Sequence, residues 1–435
     1  MIGEESSGED FLPIEPAAGP VRGAIRPPGS KSITNRALVC AALAEGDSLL
    51  SGALGSEDTR VMLAALEQLG IEVEHDPRAA TVAVTGCGGL LPRADLELFA
   101  ANSGTTIRFL TALTTLGRGR YRLSGVERMH ERPIADLLVA LNQLGADARS
   151  ETGSGCPPVV VEASGLLGGE CSVRGDISSQ FLSGLLMATP RAAAPVKIAV
   201  EGELVSQPYI HMTLEVMRSF GIEAQAAADL SHFTIPAPQS YRGGGYAIEP
   251  DASAASYFWA AAAITGGRVL VEGLSLQALQ GDVDFCRVLG QMGCTVVEEP
   301  EGISLVGGLL RGVEVNMNAI SDTVQTLAVV ALFAEGPTTI RGVAHIRHKE
   351  TDRIGDLARE LRKLGARVEE LDAGLRIHPG PLRGAELDTY NDHRMAMSLA
   401  LAGLKIPGVV IRNPGCTVKT YPHFFQDLAA LRDSP

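Results

Sequence analysis

The chain has 435 residues, 45% of them hydrophobic and 20% charged, with 49 glycines and a formal charge of −14. That length suits two domains of roughly 200 residues each, and the apolar-to-charged balance excludes a disordered or fibrous chain in favour of a turn-rich α/β one. The negative charge excludes a surface-wide attraction to nucleic acid or an anionic membrane, so any anion site has to be a local basic cluster.

The first stretch, "MIGEESSGEDFLP", is acidic and polar, without the basic start and apolar core of a signal peptide or the arginines of a transit peptide. A disordered extension over residues 1–13 is expected. No apolar run approaches the roughly 18 residues that would suggest a membrane span. Seven cysteines (40, 87, 156, 171, 286, 294 and 416) are an odd number and form no C-x-x-C pair. Neither a disulfide framework nor a zinc site is expected, which suits reduced thiols in a cytoplasmic protein.

From Pro27 onward two kinds of helix alternate. The first kind is rich in Ala and Leu and reads as buried: "SITNRALVCAALAEG", "SGTTIRFLTALTTLG", "SSQFLSGLLMATP", "DASAASYFWAAAAITGG", "SDTVQTLAVVALFAEG" and "NDHRMAMSLALAG". The second is amphipathic and leads through a glycine into an alternating strand: "TRVMLAALEQLGIEVE" (59–74), "IADLLVALNQLGADAR" (134–149), "HMTLEVMRSFGIEAQ" (211–225), "VDFCRVLGQMGCTVV" (283–297) and "RIGDLARELRKLGARVEE" (353–370). A sixth copy, "YPHFFQDLAALRD" (421–433), stops before its glycine. Glycines 70, 145, 221, 293 and 365 stand where a left-handed residue ends a helix. The pattern repeats about every 75 residues and predicts six units of an outer and an inner helix with short strands. Three units make each domain, with the division near "SYRGGGYAIEP" (240–250).

Nearly every inner copy begins with Ser, Asp or Asn, the residues that cap helix N-termini. Capping alone explains any one of them. Six such termini facing one way would also gather unpaired N–H groups and positive dipole ends around an anion. The basic residues near those starts are Lys31, Arg36, Arg108, Arg132, Lys349, Arg353, Arg394 and Lys419. Of six lysines in the chain, three (31, 349 and 419) fall in these short segments. A lysine can carry a proton that a guanidinium never releases.

A ligand bearing phosphate and carboxylate groups explains the cluster; ion pairs to Glu131, Glu350, Asp352 and Asp392 are the competing explanation. "GDISSQ" places Ser178, Ser179 and Gln180 at an inner-helix start, as caps or as ligands of a phosphate and a sugar-like hydroxyl. Gly104 is either a plain turn or a point of close backbone approach. Asp322 and Glu350 are the candidate proton carriers, set among cations and apolar helix; an N-cap and an ion pair to Arg353 are their other readings. "PGSKS" lacks the rest of a phosphate loop, no G-x-G-x-x-G joins a strand to a helix, and "HIRH" lacks a metal-ligand set.

In order along both halves, "PGSKSITNRAL", "NSGTTIRFL", "ERPIADL", "SSQFLSGLLM", "KETDRI" and "TYNDHRMAMSLAL" resemble the 5-enolpyruvylshikimate-3-phosphate synthase family of enolpyruvyl transferases, over about residues 18–430. The resemblance implies an α/β fold of two similar lobes, each of three βαβαββ units around buried parallel helices. It also implies lobes that close on substrate, with the first strand in the C-terminal lobe. The lobes would then be 14–28 plus 246–435 and 29–245, crossed near Pro27–Ser30 and Tyr241–Tyr246. The implied reaction joins shikimate 3-phosphate to phosphoenolpyruvate through a tetrahedral intermediate and expels phosphate, without metal or organic cofactor, in a monomer.

Carried over on matching motifs, Lys31, Asn102, Gly104, Thr105, Arg132, Gln180, Arg353, Arg394 and Lys419 would meet phosphoenolpyruvate. Lys31, Ser32, Arg36, Ser178, Ser179, Gln180, Ser206, Tyr209, Asp322, His345 and Lys349 would meet shikimate 3-phosphate. Asp322 would take the proton of the attacking hydroxyl, and Glu350 would protonate the methylene carbon, with Lys31 and Lys419 as partners in proton traffic. The sequence departs from the family at His345, where many relatives carry Asn. A related family, the UDP-N-acetylglucosamine enolpyruvyl transferases, carries a reactive cysteine on a loop whose counterpart here, "GRGRYRLSGVERMHERP", has none. A binding module that kept the scaffold and lost the chemistry is the alternative from another class.

Overall fold

The computed structural model describes residues 10–433. Twelve α-helices run in chain order: α1 (Lys31–Leu43), α2 (Glu57–Gln68), α3 (Gly104–Thr114), α4 (Ala135–Gln143), α5 (Ser179–Ala188), α6 (Pro208–Ser219), α7 (Ala252–Thr265), α8 (Phe285–Gln291), α9 (Val324–Val330), α10 (Gly355–Lys363), α11 (His393–Gly403) and α12 (Phe424–Arg432). The odd-numbered helices are the apolar series and the even-numbered ones the amphipathic series. Every residue of α3, α9 and α11 is buried, whereas α2 and α10 bury one face. None of the described helices is long and apolar enough to cross a membrane.

The five glycines that follow the outer helices all take positive φ, between 80° and 108°. A side chain there would strain the turn that feeds each strand. Five inner helices are capped by the residue before them: Ser30, Ser103, Ser178, Asp251 and Asp392 each accept a backbone N–H of the first turn. The exception is α9. A 3-10 turn over Asn318–Thr323 leads into it, interrupted by non-helical Ile320, and α9 has no side-chain cap. Asp322 is therefore not the N-cap of an inner helix.

Tertiary contacts divide the chain into two compact units, Pro28–Glu249 and Met1–Pro27 with Pro250–Pro435. In the first unit, strands Leu96–Phe99, Gly119–Ser124, Asp147–Ser150 and Val159–Ala163 alternate with α3 and α4 as β-α-β-α-β-β. The first two are parallel and the last two close the sheet antiparallel. Strands Gly169–Arg174, Val196–Glu201, Gln225–Ala226 and His232–Ile235 repeat that order around α5 and α6. The remaining four-stranded sheet of the unit takes its first strand from the far end, Gly245–Ala247 lying parallel to Asp47–Ser51, next to a two-stranded sheet of Tyr241–Arg242 with Ala44–Glu45. Residues 246–249 thus belong here rather than beyond the crossing expected at 241–246. Their strand pairing and the Ile248 N–H bond to Ser51 O (2.8 Å) hold them, and the break comes at Glu249–Pro250. Pro28 also falls in this unit, one residue earlier than expected.

The second unit borrows as well. Arg22–Ile25 lies parallel to Arg268–Glu272, whose sheet is completed by Thr295–Glu299 and Gly302–Val306. Glu314–Asn316, Thr338–Arg341, Arg367–Leu371 and Gly374–His378 form a complete sheet around α9 and α10. The sixth unit ends at α12 without its two closing strands, and Phe11–Ile14 takes one of those places, antiparallel to Val409–Arg412. This corrects the expected disordered extension: residues 11–13 are in a sheet, because Val409–Arg412 would otherwise present open N–H and C=O groups. Residues 1–9 of that extension lie outside the described residues. In this unit α7, α9 and α11 pack on one another, and Trp259 is fully buried with its indole N–H donating to Ile303 O (3.1 Å).

Candidate active-site residues

In unit Pro28–Glu249 the candidates gather at the starts of α1, α3 and α5. Lys31, first residue of α1, has its Nζ 3.4 Å from Oδ2 of Asp58 in the first turn of α2. Ser32 is half-buried beside it, and its carbonyl accepts from Arg36 Nη1 (2.9 Å). Arg36 is 1% exposed and donates also to Thr213 Oγ1 (2.7 Å), Ser183 Oγ (3.1 Å) and Tyr209 O (3.3 Å), with the Phe109 and Tyr209 rings against its plane. No carboxylate among the described residues neutralises it. Burial pulls its pKa down to about 10, since desolvation disfavours the cation.

At α3, Arg132 Nη1 donates to Asn102 O (3.0 Å), and Arg108 donates to Gln180 Oε1 (2.6 Å) and Pro133 O (2.9 Å). Gly104 lies under both guanidiniums: a Cβ there would stand 2.4 Å from Arg132 Nη2 and 2.9 Å from Arg108 Nη1. The glycine is needed so that two cations can approach one helix start. The Thr105 hydroxyl turns inward to Asn35 Nδ2 (2.8 Å) and Ser103 Oγ (3.3 Å). Ser178 caps α5, Ser179 is buried and Gln180 half-buried at its first turn. Ser206 holds φ +54°, a left-handed backbone that a serine rarely adopts, and Tyr209 follows in α6.

The other unit carries an acid–base cluster. Arg353 is 1% exposed and binds three carboxylates: Asp392 through Nε (2.7 Å) and Nη2 (3.1 Å), Glu350 through Nη2 (2.8 Å) and Asp322 through Nη1 (3.3 Å). Burial alone would lower its pKa, but the three carboxylates outweigh that and hold it above the ordinary guanidinium range. Arg394 Nη2 reaches Asp322 Oδ2 (2.7 Å), Lys349 Nζ stands 3.9 Å from Asp322 Oδ1, and Lys419 Nζ donates to Glu350 Oε1 (2.8 Å). The ion-pair explanation of these cations is thus the one observed, with Asp322, Glu350 and Asp392 as the carboxylates. Arg353 is chiefly the post to which the carboxylates are fixed.

His345 is buried beside Lys349. Burial and then that lysine's charge bring its pKa down to about 3, so it stands as a neutral imidazole. Tyr390 and Asn391 hold φ +53° and +55° just before the Asp392 cap, and Asn413 holds +48° before the turn that presents Lys419. Among the described non-glycine residues of this unit, left-handed backbone therefore stands at the entries to two cation-bearing segments.

Sequence reasoning overlooked Asp58 and the Thr213–Ser183 pair that seats Arg36. Asp58 was legible as an acid in an outer-helix first turn, next to a helix N-terminus. The Arg36 seat was not, since Thr213 is 177 residues away.

The comparisons with known proteins agree with one another. A family model described as EPSP synthase (3-phosphoshikimate 1-carboxyvinyltransferase) matches residues 16–428. A 3-phosphoshikimate 1-carboxyvinyltransferase of Nostoc punctiforme is 49% identical over 417 residues, 96% of this chain and 98% of its own. The chloroplastic 3-phosphoshikimate 1-carboxyvinyltransferase of Brassica napus is 48% identical over 94% of this chain and 83% of its own. Among solved structures, an EPSP synthase from Acinetobacter baumannii matches with a TM-score of 0.80 at 26% identity, covering 97% of this chain and 98% of that one.

Proposed function

The chain belongs to the EPSP synthase (3-phosphoshikimate 1-carboxyvinyltransferase) family, and from that membership we propose how its residues divide the family's reaction. The enzyme transfers the enolpyruvyl group of phosphoenolpyruvate to the 5-hydroxyl of shikimate 3-phosphate and releases phosphate, in aromatic biosynthesis. The observation that carries the assignment of roles is the pair Asp322 and Glu350. Two carboxylates share Arg353, yet one is gripped by Arg394 (2.7 Å) and the other by Lys419 (2.8 Å). Different cation partners let two carboxyl groups take different proton duties.

In this reading Asp322 accepts the proton of the 5-hydroxyl as its oxygen attacks the substituted vinyl carbon of phosphoenolpyruvate. Glu350, fed by Lys419, gives a proton to the methylene carbon. The tetrahedral intermediate then loses a proton from the new methyl group and expels phosphate. By family membership, Lys31, Asn102, Gly104, Thr105, Arg132, Gln180, Arg353, Arg394 and Lys419 serve phosphoenolpyruvate. Lys31, Ser32, Arg36, Ser178, Ser179, Gln180, Ser206 and Tyr209, with Asp322, His345 and Lys349, serve shikimate 3-phosphate. Cations and helix N-termini suit both anionic substrates.

We propose a cytoplasmic location, supported by seven cysteines that are all free thiols, and a monomer by family membership alone; cell fractionation and light scattering check each. The deciding experiment is phosphate release from shikimate 3-phosphate plus phosphoenolpyruvate, with Asp322→Ala as the control. Release by the intact protein and none by the variant is the expected result. No release by the intact protein would favour a binding module that has lost its chemistry.

A further inference from the structure

Asp282 is a buried acid that no step of the reaction above uses. It lies on the 3-10 turn Gly281–Asp284 ahead of α8, 3% exposed, and Ser253 Oγ in the first turn of α7 donates to its Oδ2. Gln280 pins that turn: its Oε1 accepts from Ala252 N (3.0 Å) and its Nε2 donates to Pro250 O (2.7 Å). The Asp282 turn packs directly on the Asn318–Thr323 turn, which carries Asp322. The charged and titratable groups around it are Asp322 from that turn, Asp251 at the start of α7, and Arg394 from α11. Its neighbour Asp284 points away into an ion pair with Arg287 of α8 (2.8 Å).

We propose that Asp282 is a positioning residue for proton transfer: as an anion held by Ser253 it repels negative charge on Asp322 and so strengthens Asp322 as the base that deprotonates the substrate hydroxyl. The proposal rests on the reading of Asp322 as that base. Coulombic coupling between two carboxyls is mutual, so whatever makes Asp282 reluctant to ionise beside Asp322 makes Asp322 readier to take a proton beside ionised Asp282. Burial first, and then the Asp322 charge, bring the Asp282 pKa up to about 7, against the pull of the Ser253 hydroxyl and Arg394. Asp282 consequently changes charge near neutral pH. Below that range it is neutral and Asp322 works unaided; above it Asp322 works as the stronger base.

The test is the pH profile of kcat at saturating substrates, from pH 5.5 to 9, for wild type, Asp282→Asn, Ser253→Ala and Asp322→Asn. Substrate ionisation is common to all four proteins and cancels when variants are divided by wild type. Wild type is expected to gain about three- to tenfold in kcat through an inflection near 7. Asp282→Asn removes the inflection and keeps the low-pH rate, with both KM values within twofold of wild type. Ser253→Ala, which takes away the donor that favours the Asp282 anion, moves the inflection to higher pH, and it serves alone if Asp282→Asn does not fold. An inflection unchanged in both variants, or a rate lowered by one constant factor at every pH, would overturn the proposal and leave Asp282 a structural cap. Activity retained by Asp322→Asn would instead overturn the reading of Asp322, a separate outcome.

Discussion

Replacing Gly104 by alanine tests whether the cations over the start of α3 hold phosphoenolpyruvate. The added Cβ would stand 2.4 Å from Arg132 Nη2, 3.0 Å from Arg132 Cζ and 2.9 Å from Arg108 Nη1. These are ends of flexible side chains rather than backbone, so the helix stays and the arginines move. Arg132 Nη2 has to withdraw by roughly 1 Å to reach ordinary contact, far enough to break a bond to a ligand oxygen. A hydrogen bond to a charged partner contributes about 1.5–3 kcal/mol, and tenfold in affinity is about 1.4 kcal/mol. The KM for phosphoenolpyruvate should therefore rise about ten- to a hundredfold in steady-state phosphate release. The kcat should fall less than threefold, since no proton-carrying group moves. The KM for shikimate 3-phosphate should change only a few-fold, through the Arg108–Gln180 contact (2.6 Å). An unchanged KM for phosphoenolpyruvate would refute the reasoning, and so would a fall in melting temperature that drags every kinetic constant down together.

Lys31→Arg keeps the charge beside Asp58 but removes a compact, protonatable cation, and should lower kcat/KM at least about a hundredfold; activity within fivefold of wild type would show that charge alone is needed. Asp392→Asn should preserve the cap on α11 yet strip Arg353 of its doubly bonded carboxylate, at a cost of about 3–5 kcal/mol and roughly 10 °C in thermal unfolding followed by circular dichroism. A drop under 2 °C would mean that Glu350 and Asp322 suffice. His345 refuses a proton in the fold until about pH 3, while the unfolded chain takes one up below about 6.5. Its contribution to stability is present above 6.5 and is lost as pH falls toward 3, about 2 kcal/mol of it by pH 5. His345→Asn should lose less stability than wild type between pH 7.5 and 5 in urea unfolding; equal losses would place the acid sensitivity elsewhere.

What was legible in the sequence is what lies within one turn or one strand. The helix period with glycines 70, 145, 221, 293 and 365 marked the outer helices, and Ser103, Ser178 and Asp251 marked three inner ones, because capping and left-handed turns are local demands on residue type; the caps of α1 and α11 fall at Ser30 and Asp392, not at the Ser32 and Asn391 that open those apolar stretches. The strand at Phe11–Ile14 was not legible: four residues with a proline at position three give no period to read. Its reason for existing lies at Val409–Arg412, at the other end of the chain. The cations were legible as a set, and a family resemblance attached roles to them. Glu350 was legible as an ion-pair partner of Arg353, three residues away, and Asp392 as a candidate; that Arg353 would bind both and Asp322 at once, or that Arg36 would be seated on hydroxyls without any carboxylate, depends on residues up to 177 positions apart.

The unit Pro28–Glu249 is an insertion into the other one, and its two ends are bonded to each other, Ser30 N–H to Glu249 O at 2.8 Å. During synthesis the inserted unit is therefore complete, with its ends already joined, before its host has more than a fragment to fold. Val21 N–H finds its acceptor on Thr265, 244 residues downstream. At about 5–20 residues per second on the ribosome that is a wait of roughly ten to fifty seconds. For that interval Arg22–Ile25 is a bare strand that the ribosome-bound chain has to keep from pairing with its neighbours. A gene reordered to begin at Pro28, with residues 10–27 moved behind Arg432, would make the same sheets but pass a shorter wait to Arg268–Glu272, the parallel partner of Arg22–Ile25.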